Sequence, residues 1–358
     1  MSISEAERAI GPLVLGALDS VEPHPVTLEL LDAGALGGVT LFKRNLDGDL
    51  PALSRRNAGL HTRSPRGIVI AIDQEGGRVA RLRHAPVVQL PAARDLAEYC
   101  STKTIDGLGF EVGRQLAALG FTMNFAPVLD VHSEERNPVI GDRSFGSAPE
   151  LAAASALAFA AGQRRAGLGS CGKHFPGHGD TTSDSHLELP YVSASRAVLE
   201  AREFSPFRVA ASHGLDAFMS AHVVYRAIDE RPATLAPSIA TDLLRSKLGF
   251  TGVLFSDDLR MKALDGSAEE NAVRAIAAGC DAVLVCEGEE LVRSVVARVA
   301  AEYESSEAFR TRCLEARARL DTLVSRFPSR AVVDEAELEA ILQDANARAV
   351  RIMAGLDP

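Results

Sequence analysis

Short, almost continuously apolar runs recur along the chain, and helical patterns separate them. The runs are 11–18, 37–42, 67–73, 121–129, 170–175, 216–222, 252–257 and 281–286. Each is rich in Val, Ile, Leu, Phe or Met with few polar interruptions, which is how strands buried on both faces read. Between them, 148–165 is Ala-rich. The stretch 237–248 opens with Pro237, placed as an N1 proline. The stretch 267–278 opens Ser-Ala-Glu-Glu and stops at Gly279, a cap-to-cap helix. Eight strands alternating with helices predict an α/β fold, a (β/α)8 TIM-type barrel, since eight such units within about 290 residues match its usual size. An open doubly wound sheet is the alternative, and it too would place ligands at strand C-termini. The count of eight depends on the first run, the weakest. Beyond Glu289 the pattern is helical and charged, over 291–304, 310–326 and 334–353, with a break at Pro328. These helices are expected to cover the outside of a single catalytic barrel domain spanning 1–358. Its core would run over about 11–300 and a C-terminal helical extension over about 301–358.

Composition changes this picture little. The chain has 358 residues, 46% of them hydrophobic, enough for a sizeable core. The formal charge of -10 argues against a nucleic-acid partner, whose phosphates would be repelled. No apolar run reaches membrane-span length, and residues 1–8 carry charge where a secretory signal would be apolar. Cys100, Cys171, Cys280, Cys286 and Cys313 are odd in number and lack CxxC spacing, so neither a disulfide framework nor a zinc site is expected. A cytoplasmic monomer is the expectation.

The chemistry concentrates at the ends of the strands. The stretch Lys173–His186 holds three histidines, two aspartates and a lysine in fourteen residues, with Pro176, Gly177 and Gly179 opposing regular structure. It reads as a loop leaving a strand, on the catalytic face of a barrel. Asp184 and His186 stand at i and i+2, so in an extended loop both point the same way. The carboxylate can then fix the imidazole tautomer and raise its basicity, making a proton donor and acceptor near neutral pH. Asp257 ends the run 252–257 and is placed to face the mouth as a nucleophile or base. Asp73, Asp130, His174 and His222 close other strands. The segments Asp73–Arg81 and Asn137–Gly146 follow strands and bring further Asp and Arg residues. Each charge taken singly also fits a surface salt bridge or a helix cap. A ring of Asp, Arg, Lys and His suits a ligand with many hydroxyls. No GxxxxGK[ST] or GxGxxG occurs, so a nucleotide phosphate cradle is unsupported.

These residues carry a resemblance. Lys173–His186 is similar to the KHFPGHGxxxxDSH signature of family 3 glycoside hydrolases of the β-N-acetylhexosaminidase type. DQEGGRV, VIGDRSFG, SAHVVY and FSDDL resemble the same family in the same order, from about Gly11 to Cys286. The resemblance implies a retaining exo-β-N-acetylglucosaminidase that releases terminal N-acetylglucosamine from peptidoglycan fragments, the muropeptides of cell-wall recycling. It implies Asp257 as nucleophile, His186 as acid/base and Asp184 as its partner. It implies sugar binding by Asp73, Arg81, Arg143, Lys173 and His174, with His178 and Asp180 shaping the loop. No metal or organic cofactor is implied, and the partner is a small carbohydrate. Two departures bear on the leaving group. Arg260–Leu264 stands where relatives usually show Ser-Met-Glu-Gly-Ala, and Leu15–Gly16 stands where an Asp is frequent.

The physical reading agrees with this mechanism. Retaining glycosidases need a nucleophilic carboxylate about 5–5.5 Å from the acid group, and here an imidazole replaces the second carboxyl. Other readings are a phosphorylase or a broader β-glucosidase of the same family, a sugar-binding barrel without turnover, and a metal-dependent hydrolase using His174, His178 and His186. The small and polar residues of 181–185 also predict a loop that closes over the bound sugar.

Overall fold

The computed structural model describes residues 3–183, 189–329 and 334–356. Eight parallel strands close a barrel. They are β1 (Val14–Ala17), β2 (Gly38–Leu41), β3 (Val69–Ile72), β4 (Met123–Asn124), β5 (Gly169–Phe175), β6 (Ala217–Ser220), β7 (Val253–Asp258) and β8 (Ala282–Leu284). Each pairs with its neighbour in chain order, and β8 pairs with β1 through Val14 opposite Val283. All eight predicted runs supply a strand, including the weak first one. There Gly11–Leu13 forms a tight 3-10 turn and only the remainder is extended. The run 121–129 yields only two residues of regular strand because Pro127 has no N–H to give the ladder. One further bridge joins Val128 to Lys173.

The helices follow their sequence signals with one difference. The helix Ala268–Ala278 is capped by Ser267, whose hydroxyl accepts from Glu270 N, and ends at Gly279 with φ 133°. The segment Ser238–Lys247 winds in the wider π form, with Leu248 N–H reaching Leu243 O. Pro237 enters the helix at N1 as expected: it is helical at φ −57° and ψ −33°, and the carbonyl of extended Ala236 before it accepts from the N–H groups of Ile239 and Ala240. The helices Thr102–Ala118 and Pro149–Arg165 cross closely at glycines. A Cβ on Gly109 would lie 2.3 Å from Phe159 O, and one on Gly162 2.0 Å from Asp106 O.

The ends of the chain are tied into the barrel. After β1, Asp19 accepts from the backbone of Gly288 and Glu289 at 2.8 and 3.0 Å, at the start of the helix Glu289–Ser305. Glu289 in turn accepts from Asp19 N and His24 N. Leu15 is fully buried, and Gly16 faces Val292 of that helix so closely that a Cβ would sit 3.1 Å from it. The helix Glu307–Arg326 lies across the lower, N-terminal ends of the strands. Its Arg312 and Arg319 reach buried Asp281 at 2.5 and 3.0 Å, and Arg326 reaches Asp216 at 3.2 Å. The helix Glu335–Met353 packs on Thr102–Ala118, with Arg348 2.8 Å from buried Glu111.

Candidate active site

The C-terminal ends of the strands surround a cavity of about 480 Å3. Two acidic residues define its wall after β3. Asp73 and Glu75 stand two apart in extended backbone, so their carboxylates share a side. Lys173, near the end of β5, bridges them with Nζ 2.7 Å from Asp73 Oδ1 and 2.7 Å from Glu75 Oε1. Arg143 grips Glu75 with two parallel hydrogen bonds of 2.9 Å, a bidentate geometry that fixes the guanidinium plane. Arg81 Nη2 donates to Asp73 Oδ2 at 2.9 Å. Gln74 holds this turn in place: its side chain accepts from Arg81 N and Leu82 N, and its own N–H donates to Asn124.

Burial alone would raise both carboxyls, but the cations overcome it. Glu75 is drawn down to about 2, chiefly by Arg143 and Lys173. Asp73 is held well below the carboxylate range by Lys173 and Arg81. Burial opposes the charge on Lys173 and Arg143 too, yet their acidic partners raise both. Asp73, Glu75, Lys173 and Arg143 are therefore each held in the charged form by the others.

His174 is oriented by Asp130, which follows β4. Its Nδ1 lies 2.6 Å from Asp130 Oδ2, and its backbone N–H donates to the same carboxylate at 3.0 Å. With Nδ1 so engaged, Nε2 faces the ring, 3.5 Å from Arg143 Nη2. Asp130 also accepts from His178 N at 2.7 Å, so one buried carboxylate sets both the imidazole and the start of the loop. His178 lines the cavity, with Nδ1 2.9 Å from Thr181 Oγ1, and Asn137 donates to His178 O and Gly179 O. Burial, reinforced by the neighbouring His174, lowers His178 to about 4. Asp180 pairs with Arg202 at 2.7 Å, away from the ring.

Asp257 lines the same cavity at the end of β7. Burial would raise it, but His222, His174, the Asp258 N–H and Lys173 hold it below its ordinary value. Asp258 turns to the side: Oδ1 accepts from Cys286 N at 3.0 Å, and its carbonyl lies 2.9 Å from His222 Nε2. Burial raises the Asp258 carboxyl. The two aspartates are thus separated, one ionised toward the cavity and one committed to bridging β7 and β8. Phe42, Phe125 and Met219 supply apolar walls, and Met261, from the departing segment, lines the mouth. Arg260 lies outside, 3.4 Å from Glu287.

The structure brings Asp73, Arg81, Arg143, Lys173, His174 and Asp257 together at one cavity. Asp184 and His186 lie outside the described residues, as does the expected loop closure. Glu75, at the hub of the ring, was not among the expected binding residues. Its i, i+2 spacing from Asp73 was the available signal.

The chain is similar in sequence and in fold to several known proteins. The Glycosyl hydrolase family 3 N terminal domain matches residues 13–322. A protein named Beta-hexosaminidase from Alkalilimnicola ehrlichii is 39% identical over 295 residues, covering 80% of this chain and 84% of its own. One of the same name from Neisseria meningitidis is 41% identical over 272 residues, covering 74% of each. Among solved structures, the NagZ of Neisseria gonorrhoeae in complex with N-trifluoroacetyl-D-glucosamine superposes with a TM-score of 0.78 at 31% identity, covering 96% of this chain and 98% of its own. The β-N-acetylhexosaminidase of Beutenbergia cavernae gives 0.84 at 30%, covering 90% and 98%.

Proposed function

The chain belongs to glycosyl hydrolase family 3, and from that premise we propose that it is a retaining exo-β-N-acetylglucosaminidase acting on muropeptides. The observation that carries this reading is the carboxylate of Asp257, kept ionised at a cavity whose wall is a ring of Asp73, Glu75, Arg81, Arg143, Lys173 and His174. Such a ring offers donors and acceptors in fixed positions to the hydroxyls of one sugar, at little cost in reorganisation.

In the proposed reaction Asp257 attacks the anomeric carbon. The glycosidic C–O bond breaks, and the leaving oxygen takes a proton from the His186 imidazolium. A water molecule then attacks the glycosyl ester, gives its proton to His186 and displaces Asp257. Two displacements at one carbon return the β configuration. Asp184 holds the His186 tautomer, and Asp73, Arg81, Arg143, Lys173 and His174 hold the sugar. The preference for a 2-acetamido sugar is supported by the name Beta-hexosaminidase carried by relatives near 40% identity.

We place the enzyme in the cytoplasm as a monomer. The five free cysteines suit a reducing compartment, and no helix among the described residues is long and apolar enough to cross a membrane. The test is turnover of an aryl β-N-acetylglucosaminide against the aryl β-glucoside, with the anomeric product followed by NMR. Faster hydrolysis of the acetamido substrate with initial release of the β-anomer is expected. Equal rates, or the α-anomer, would overturn the proposal.

A further inference from the structure

One buried acid outside the ring has no part in the reaction above. Glu203 precedes the helix Phe204–Ser212 and is fully buried. Its Oε1 accepts from Ser133 Oγ at 2.8 Å and Arg202 Nε at 2.7 Å, whereas Oε2 has no hydrogen-bond partner among the described residues. It sits directly under the start of the polar loop. Gly177, at φ 132°, lies so close that a Cβ would come 2.8 Å from Glu203 Cβ and 3.0 Å from its bare Oε2. Gly177 O accepts from Tyr225 Oη at 2.6 Å. On the other side Arg202, bonded to Glu203, pairs with Asp180. Ser133, the second donor, would contact a Cβ on Gly179 at 3.1 Å.

We propose that Glu203 is a positioning residue whose carboxyl, by its protonation state, sets how firmly residues 176–183 are held. It bears on Gly177 directly and on Asp180 through Arg202. That segment runs in sequence to His186, so the effect on catalysis rests on the function proposed above, whereas the effect on the segment does not.

The chemistry of the niche gives the direction. Neutral Glu203 needs few partners and fits. Ionised, it has two donors on one oxygen and, among the described residues, none on the other, an expensive state in a dry site. The charged and titratable groups facing it are Arg202 and Asp180, which pair with each other, Asp130 beyond β4, and Tyr225. Burial raises the carboxyl to about 7, with Arg202 and Ser133 opposing the rise and Asp130 adding to it. A raised folded value means stability that is complete below the ordinary value of 4.5 and lost as pH rises through about 7. Above that pH the segment should loosen and admit water to Oε2.

The experiment is hydrogen–deuterium exchange of peptides covering 176–183 between pH 6 and 8, corrected for intrinsic rates, in the wild type and in Glu203→Gln. The wild type should lose protection with a midpoint near 7. Glu203→Gln, permanently neutral and of the same shape, should show no such midpoint. Ser133→Ala removes a donor to the ionised form and should move the midpoint upward. With an aryl β-N-acetylglucosaminide, Glu203→Ala should lower kcat by about 10- to 100-fold with KM within about 2-fold. Glu203→Gln should move the alkaline limb of kcat to higher pH. A wild-type segment whose protection is independent of pH overturns the proposal, as does a midpoint that survives in Glu203→Gln. If Glu203→Gln fails to fold, the wild-type and Ser133→Ala midpoints still decide it. If the wild type hydrolyses no acetamido glycoside, the functional reading fails while the exchange result stands.

Discussion

Replacing Glu75 by Gln removes a charge that two cations depend on. Lys173 keeps Asp73, but Arg143 loses its only carboxylate among the described residues and is left nearly buried. The difference between about 2 and the ordinary 4.5 corresponds to about 3 kcal/mol in favour of the ionised form. That agrees with the roughly 3–5 kcal/mol lost when one partner of a buried ion pair is deleted. Glu75→Gln should therefore lower stability at pH 7 by about 3 kcal/mol, a fall in Tm of roughly 4 °C for a chain of this length. The sign with pH follows from the depressed carboxyl. Its contribution is complete above 4.5 and fades as pH falls toward 2, so by pH 3.5 the gap should shrink to roughly 60% of its neutral value. Denaturant unfolding of the two proteins at both pH values measures this. A gap below about 1 kcal/mol at pH 7, or one undiminished at pH 3.5, would refute the reasoning.

Asp257→Asn should abolish turnover with Tm within a few degrees of the wild type, and near-normal hydrolysis would place the nucleophile elsewhere. His186→Ala should lose least in kcat/KM on aryl substrates with the most acidic leaving groups, and Asp184→Asn should show the same trend more mildly. A loss independent of leaving group would direct attention to His178. Asp281→Ala leaves Arg245, Arg312 and Arg319 without their shared carboxylate. It should cost about 3–5 kcal/mol in unfolding with KM unchanged, since Asp281 lies at the end of the barrel away from the cavity.

The barrel was legible because its strands are buried on both faces and carry almost no polar interruptions. Where the reading overran, a specific residue was responsible. Pro127 withholds the N–H that would have extended β4, and the turn at Gly11–Leu13 shortens β1. The strand-end residues Asp73, Lys173 and Asp257 were legible for the same reason as the strands: each is the first charge after an apolar run, and His174 follows Lys173 directly. Glu75 was less so. Its partners Lys173 and Arg143 are distant in sequence, so only the closed barrel reveals that its charge is enclosed. Asp130 was visible as a strand end, but its hold on both His174 and His178 needed the fold. Glu203 gave no local sign, since an acid beside Arg202 ahead of a helix reads as a surface pair.

The arginines of the helix Glu307–Arg326 also govern how the chain can be made. A ribosome delivers Asp216 and Asp281 well before it delivers Arg312, Arg319 and Arg326. While those residues remain in the exit tunnel, the lower rim of β6 and β8 carries acids that lack part of their neutralising partners. Vectorial folding can gather the early strands, but the final closure must wait for the C-terminal helix. A nascent chain stalled at residue 300 should stay sensitive to protease, and one stalled after 326 has emerged should become resistant in a single step.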